Sequence, residues 1–351
     1  MRRAATWLAV AAVSALTAAA VLDAVRSPSR GAEVVTPKAP PLSTSDQDPS
    51  VEREPRFVAL ARAGSPGELS ERSFAAGLLT AAGLSGRLYL SDEKCRLRGY
   101  SLPTLEVQAM PDTPSCTFSV SDDGWLAPEE VAWQPAGSLA ARCRAGWVDI
   151  VTRAGDPYQR FRGCAPSWSP DGELAYVLDG DVRRWPGGEL VLSGDDLDRA
   201  LRDGGASHAS GGAIEHAVWL KEGILAVVVR RASLAGSRPT ESVIAAYDLG
   251  RRSAAVLARA PEITGVAASP NGHYLAARIG STVRVLTVDG PAPRSDIALR
   301  SAEIRSFAWS PDGRWLAVGA GATLTFVPVG QGNDAERPRL APIVANDLAW
   351  R

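Results

Sequence analysis

Trp309-Ser310-Pro311-Asp312-Gly313 runs straight into Arg314-Trp315-Leu316-Ala317-Val318, and the same order stands at Ser167-Trp168-Ser169-Pro170-Asp171-Gly172 before Glu173-Leu174-Ala175-Tyr176-Val177-Leu178. A third copy, Ala268-Ser269-Pro270-Asn271-Gly272, precedes His273-Tyr274-Leu275-Ala276-Ala277. Ser, then Pro with its preset φ, then Asp or Asn, then Gly, is the composition of a type I turn. The apolar runs behind it are short and β-prone, as strands covered on both faces are. The unit is strand, tight turn, strand.

Weaker copies extend the series. Val120-Ser121-Asp122-Asp123-Gly124 keeps the turn, His216-Ala217-Val218-Trp219 keeps an aromatic anchor ahead of Gly223 and Ile224–Val228, and Leu348-Ala349-Trp350 stands at the end. With Val120, Trp168, Trp219, Ala268, Trp309 and Trp350 as equivalent anchors, the spacings are 48, 51, 49, 41 and 41 residues, which is the length of a four-stranded blade. Later parts of the repeats read as hairpins: Ser242–Tyr247 with Ala254–Leu257 across Asp248-Leu249-Gly250, and Thr282–Val288 ahead of Asp289-Gly290.

These Trp-Ser-Pro-Asp-Gly turns resemble the WD40-like propeller repeats of TolB-type periplasmic proteins, over roughly Gly86 to Arg351. The resemblance implies an all-β fold, a six-bladed β-propeller of four-stranded antiparallel blades. TolB-type proteins also carry a separate α/β domain, for which Arg56–Gly83 is too short, so only the fold carries over. Closure of such a ring uses both chain ends. Arg87–Ser91, Cys95–Ser101 and Glu106–Ala109 lack an anchor strand ahead of them, and Asn346–Arg351 lacks strands behind it, so one set completes the other.

The four cysteines, Cys95, Cys116, Cys143 and Cys164, form two pairs with the same 21-residue separation. Cys116 and Cys164 each stand eight residues ahead of the turn glycines Gly124 and Gly172, so the pairs occupy equivalent blade positions at one end of the ring. Disulfides Cys95–Cys116 and Cys143–Cys164 are expected, among three possible connectivities. A four-cysteine zinc site wants Cys-x-x-Cys ligand pairs, which are absent, and free buried thiols are the third reading.

Disulfides belong outside the cytoplasm, and the start of the chain agrees. Arg2 and Arg3 precede an uncharged run from Ala4 to Leu22, read as a signal anchor or as a signal peptide cleaved near Ala18-Ala19-Ala20. The expected organisation is a leader at 1–26, a Pro-rich linker at 27–55, a short helical lead-in at 56–85 and the propeller at 86–351. Lys plus Arg number 38 and Asp plus Glu 39, so the field that would draw in nucleic acid is missing.

Leu69-Ser70 with Phe74 and Leu78, and Leu192-Ser193 with Leu197 and Leu201, read as two short capped amphipathic helices packed on the ring or bordering a partner-binding face. Gly-x-Ser-x-Gly, His-Glu-x-x-His and phosphate-loop motifs are absent. His208, His216 and His273 do not read as catalytic, and Asp195, Asp196 and Asp198 read as helix capping rather than calcium ligands. No cofactor or metal is expected. The function expected is a non-catalytic scaffold binding a protein or cell-envelope component, with the membrane reached through the leader. The alternative is a hydrolase or lyase of carbohydrate or peptide, whose channel carboxylates need separation rather than a motif.

Overall fold

A computed structural model describes residues 58–59, 70–112, 114–123, 125–127, 129–135, 137–205, 212–231, 241–288, 295–301, 303–330, 337–340 and 343–351. The leader, the Pro-rich linker and His208 lie outside the described residues. No helix among the described residues is long and apolar enough to cross a membrane.

Among the described residues the strands form seven antiparallel sheets, six of four strands and one of three. In spatial order, with the innermost strand first, sheet I is Ser119–Val120, Trp125–Ala127 and Val58–Ala59. Sheet II is Ala132–Trp133, Leu139–Arg144, Trp147–Thr152 and Pro157–Arg162. Sheet III opens on Cys164–Trp168, sheet IV on Gly212–Lys221, sheet V on Ile263–Ala268 and sheet VI on Ile304–Trp309. Sheet VII begins with the C-terminal strand Asp347–Trp350 and continues through Gly86–Ser91, Leu97–Leu102 and Glu106–Gln108.

The sheets follow one another around a closed ring, which the bonds between them establish one by one. Val131 N donates to Ser119 Oγ from II to I, Trp168 Nε1 to Ala132 O from III to II, and Trp219 N to Ser167 Oγ from IV to III. Sheets IV and V share one core through Leu220, Val228, Ile263 and Leu275. Trp309 Nε1 donates to Ala267 O from VI to V, and Ser306 Oγ to Ala345 O from VI toward VII. Phe118 N donates to Asp347 Oδ2 and Arg351 Nε to Val120 O, which joins VII to I. Leu88 pairs with Trp350 and Ser91 with Asp347, so the C-terminal strand closes the ring against Gly86–Ser91 as the repeat pattern requires.

Val120, Trp168, Trp219, Ala268, Trp309 and Trp350 all stand on innermost strands, but the count of six blades is corrected to seven sheets. The stretch from Val120 to Trp168, assigned by spacing to one repeat, holds two innermost strands. Its second turn, Trp133-Gln134-Pro135-Ala136-Gly137, has Gln for Ser and Ala for Asp and so loses the polar signature while keeping Trp, Pro and Gly. Sheet I is completed by Val58–Ala59 pairing with Trp125–Ala127, so the segment before the helices contributes a strand as well as a helix.

The serine of each turn explains the motif. Ser169, Ser269 and Ser310 are buried, and their hydroxyls accept from the backbone N–H of Glu173, Tyr274 and Trp315. Asn271 and Asp312 accept in turn from the serine hydroxyl. Gly272 and Gly313 have φ of 71° and 68°, where a side chain is strained, and a Cβ on Gly272 would come within 2.5 Å of Leu220 O of the neighbouring sheet.

The helices are α1, Ser70–Ala81, and α2, Gly194–Asp203. Ser193 caps α2 by accepting from Asp196 N. The Ser193 hydroxyl and then Arg199 hold the Asp196 carboxyl below its ordinary value. Leu197 and Leu201 are fully buried among residues of sheets III and IV, and Leu79 of α1 is buried against Leu88, Phe326 and Trp350. Both helices thus pack on the ring, each buried leucine contributing about 1.5–3 kcal/mol. The side chain of Phe74 lies outside the described residues.

Candidate functional site

Innermost strands of successive sheets stand side by side around the ring axis. A cavity of about 660 Å³ opens there, walled by the strands of sheets II to V. Its polar lining is Glu130, Arg142, Ser167, Glu215, His216 and Thr264. His216 is exposed on this wall, in the innermost strand of sheet IV, and Glu215 beside it pairs with Arg230 at 3.1 Å. His273 is instead exposed at a turn on the opposite end of the ring, as the sister residues Glu173 and Arg314 lead one to expect.

Both disulfides form, Cys95–Cys116 with Cα atoms 4.3 Å apart and Cys143–Cys164 with Cα atoms 5.0 Å apart. The first joins the turn after Gly86–Ser91 to the connection between sheets VII and I; the second joins the end of Leu139–Arg144 to the start of sheet III. Strand alternation places all four cysteines at the end of the ring away from the serine turns. Cys143 and Cys164 also line the channel cavity, so that end is the one at which the cavity is walled.

One carboxylate is buried at the closure, that of Asp347. Burial raises the Asp347 carboxyl above its ordinary value, hydrogen bonds from Phe118 N and Leu348 N oppose the shift, and the Glu130 charge adds to it. Those two backbone bonds, each 2.9 Å, tie Asp347 to the seam between sheets VII and I. Asp195, Asp196 and Asp198 stay on α2, and among the described residues no group of three or more His, Cys, Asp or Glu is placed to hold a metal ion.

The family model described as "WD domain, G-beta repeat" matches residues 298–325, which contain the innermost strand of sheet VI, its serine turn, the strand that follows and the start of the next. One repeat of this chain thus resembles the WD repeat, and the closed ring of antiparallel sheets has the architecture of a β-propeller. No curated protein matches the propeller sequence. Among solved structures it is similar to one from Bacteroides uniformis described as a "putative 6-phosphogluconolactonase", with 12% identity, 76% of this chain and 99% of that chain covered, and a TM-score of 0.49. It is also similar to the β-propeller domain of Myceliophteria thermophila Cps50 (Swd1), with 13% identity, 72% and 85% covered, and a TM-score of 0.39.

Sequence reasoning missed Trp133 as an anchor and missed the charged face of sheet II. Trp-x-Pro-x-Gly at 133–137 was the available signal for the first. The second had a period-two signal, Arg142/Arg144 and Arg160/Arg162, whose meaning depends on which neighbour covers the sheet.

Proposed function

We propose that the propeller is an extracytoplasmic, non-catalytic scaffold that binds a protein or cell-envelope component at the end of the ring carrying the disulfides, with the N-terminal apolar run as its membrane anchor or cleaved leader. The observation that supports this most is that both cross-links brace loops at one end of the ring, and that one of them, Cys143–Cys164, lines the channel cavity. Cross-linking loops lowers the ordering cost that a binding surface otherwise carries. A photo-cross-linker placed at Glu93 or His216 of the full chain should capture a partner in intact cells, and one at Arg251, on the other end, should not. Capture from Arg251 alone would refute the assignment of the face. Labelling of the four cysteines in intact cells only after an impermeant reductant is added would support the compartment.

The second reading is a hydrolase or lyase working in the channel, favoured by Glu130, Glu215 and His216 lining one cavity. It requires turnover of a polysaccharide or peptide substrate that falls at least a hundredfold in Glu130→Gln or Glu215→Gln.

A further inference from the structure

Sheet II presents different chemistry on its two sides. Ala141, Val148 and Ile150 pack with Trp168, Leu174 and Tyr176 toward sheet III. The alternate residues point toward sheet I. Of these, Ala140 and Val151 are covered by Ala127 and Val131, but the rest are charged apart from Trp147. Arg142, Asp149 and Arg160 are direct cross-strand neighbours in one row, and Arg144, Trp147 and Arg162 form the next.

Strand length explains why this half of the sheet is uncovered. The strands of sheet I have two, two and three residues, whereas three of the strands of sheet II have six. At about 3.4 Å per residue, sheet I shields some 7–10 Å of a face about 20 Å long. What remains is charged and accessible: the Arg144 and Arg160 side chains are each 59% exposed, and Trp147 is one of three exposed large hydrophobic residues among those described.

The charges are organised rather than scattered. Glu129 pairs with both Arg142 and Arg144, and Asp149 pairs with Arg160 at 3.2 Å and lies 3.6 Å from Arg142. Three guanidinium groups therefore share two carboxylates, and Arg162 beside them brings the excess to two positive charges. Arg160 and Arg162 lie over the Trp147 ring at 5.3 and 5.7 Å, and Arg162 meets no carboxylate among the described residues. Stacking on the indole holds both guanidinium groups in place, which reduces the ordering they must undergo to bind an anion. Their strand, Pro157–Arg162, is the outer edge of the sheet and, among the described residues, pairs on one side only, with Trp147–Thr152.

We infer that this shelf docks an extended acidic peptide segment of a partner protein. The partner adds as a strand to the Pro157–Arg162 edge, and carboxylates at alternate positions meet Arg160 and Arg162. The match is geometric, because side chains two apart on an added strand repeat at the same spacing of about 7 Å as the two arginines. Guanidinium–carboxylate pairs supply charge-assisted, bidentate bonds. The inference deepens the scaffold reading by naming its partner chemistry, and it rests on that reading.

The test is fluorescence anisotropy of a labelled eight-residue peptide of alternating Glu and Val against the purified full chain, beside a Gln/Val peptide. Binding of the Glu/Val peptide should exceed that of the Gln/Val peptide at least tenfold and weaken with salt. Arg160→Ala with Arg162→Ala should weaken it a further tenfold or more, while Arg251→Ala leaves it unchanged. Hydrogen exchange at the Pro157–Arg162 amides should slow on binding. Equal binding of the two peptides, or no effect of the double variant on a protein with unaltered circular dichroism, overturns the inference. So does loss of vesicle binding in the double variant with no peptide bound, which would make the shelf a site for anionic lipid. Cross-linking from His216 that is unaltered by the double variant would overturn the shelf while leaving the scaffold standing.

Discussion

Trp350 stands buried on the strand that closes the ring, and its removal should open the ring at one seam. The indole is 1% exposed and packs with Leu79, Leu88, Phe326 and Leu348. It meets Phe326 edge-on at 5.4 Å between ring centroids and donates from Nε1 to Ser85 O at 2.9 Å. Truncation of a buried Trp to Ala costs about 3–5 kcal/mol, and the lost hydrogen bond accounts for about 1 kcal/mol of it. Because a domain is stable by only about 5–15 kcal/mol, Trp350→Ala removes a large part of the total. Trp350→Phe keeps most of the packing but not the bond, and should cost about 1 kcal/mol plus the smaller ring. Urea unfolding followed by circular dichroism gives both values. Native-state hydrogen exchange gives the location, since the Leu88–Ser91 amides paired with the C-terminal strand should lose protection before those of sheet IV. A cost below about 1 kcal/mol for Trp350→Ala, or protection lost uniformly around the ring, would refute closure by this strand.

Other anchors separate packing from hydrogen bonding. Trp168 Nε1 donates to Ala132 O, whereas Trp219 Nε1 is buried with no acceptor among the described residues; Trp168→Phe should therefore cost about 1 kcal/mol more than Trp219→Phe in the same unfolding assay. Replacing Cys143 and Cys164 together by Ser frees a 21-residue separation in the unfolded chain and should cost about 3 kcal/mol, and reductant should have no further effect at that site. Stability should respond to pH with opposite signs at two aspartates. Burial raises the Asp347 pKa above 3.8, so the folded state holds that proton more tightly and the contribution is full below 3.8 and lost as pH rises through the folded value. Asp347→Asn should flatten that fall, and a wild-type-to-variant difference independent of pH would contradict it. Burial opposes ionisation of Asp312 too, but bonds from Ser310 Oγ and Arg314 N outweigh it and lower its pKa, so its contribution is present above 3.8 and disappears in acid. Asp312→Asn should then destabilise the protein at neutral pH and match the wild type at low pH.

The repeat was legible because its turn is a local device. Ser, Pro, Asp and Gly satisfy one another within five residues, as the bonds of Ser310 to Asp312 and Trp315 show, so composition alone announces the structure. The anchors, the C-terminal closure strand and both disulfides follow from that periodicity, since equivalent positions in equivalent blades meet equivalent neighbours. The buried faces of α1 and α2 were equally readable from apolar residues four apart. The outer strand of sheet I was not, because residues 58–59 pair with residues 125–126, and no local pattern joins segments some sixty residues apart. The arginine shelf depends on that same fact. Arg142, Arg144, Arg160 and Arg162 alternate in sequence as any half-exposed strand would, and only the short neighbour beside them leaves their face open. Local chemistry in the chain determines turns, strands and caps, whereas exposure of a particular face is a property of what packs against it, and that is decided only when the ring has closed.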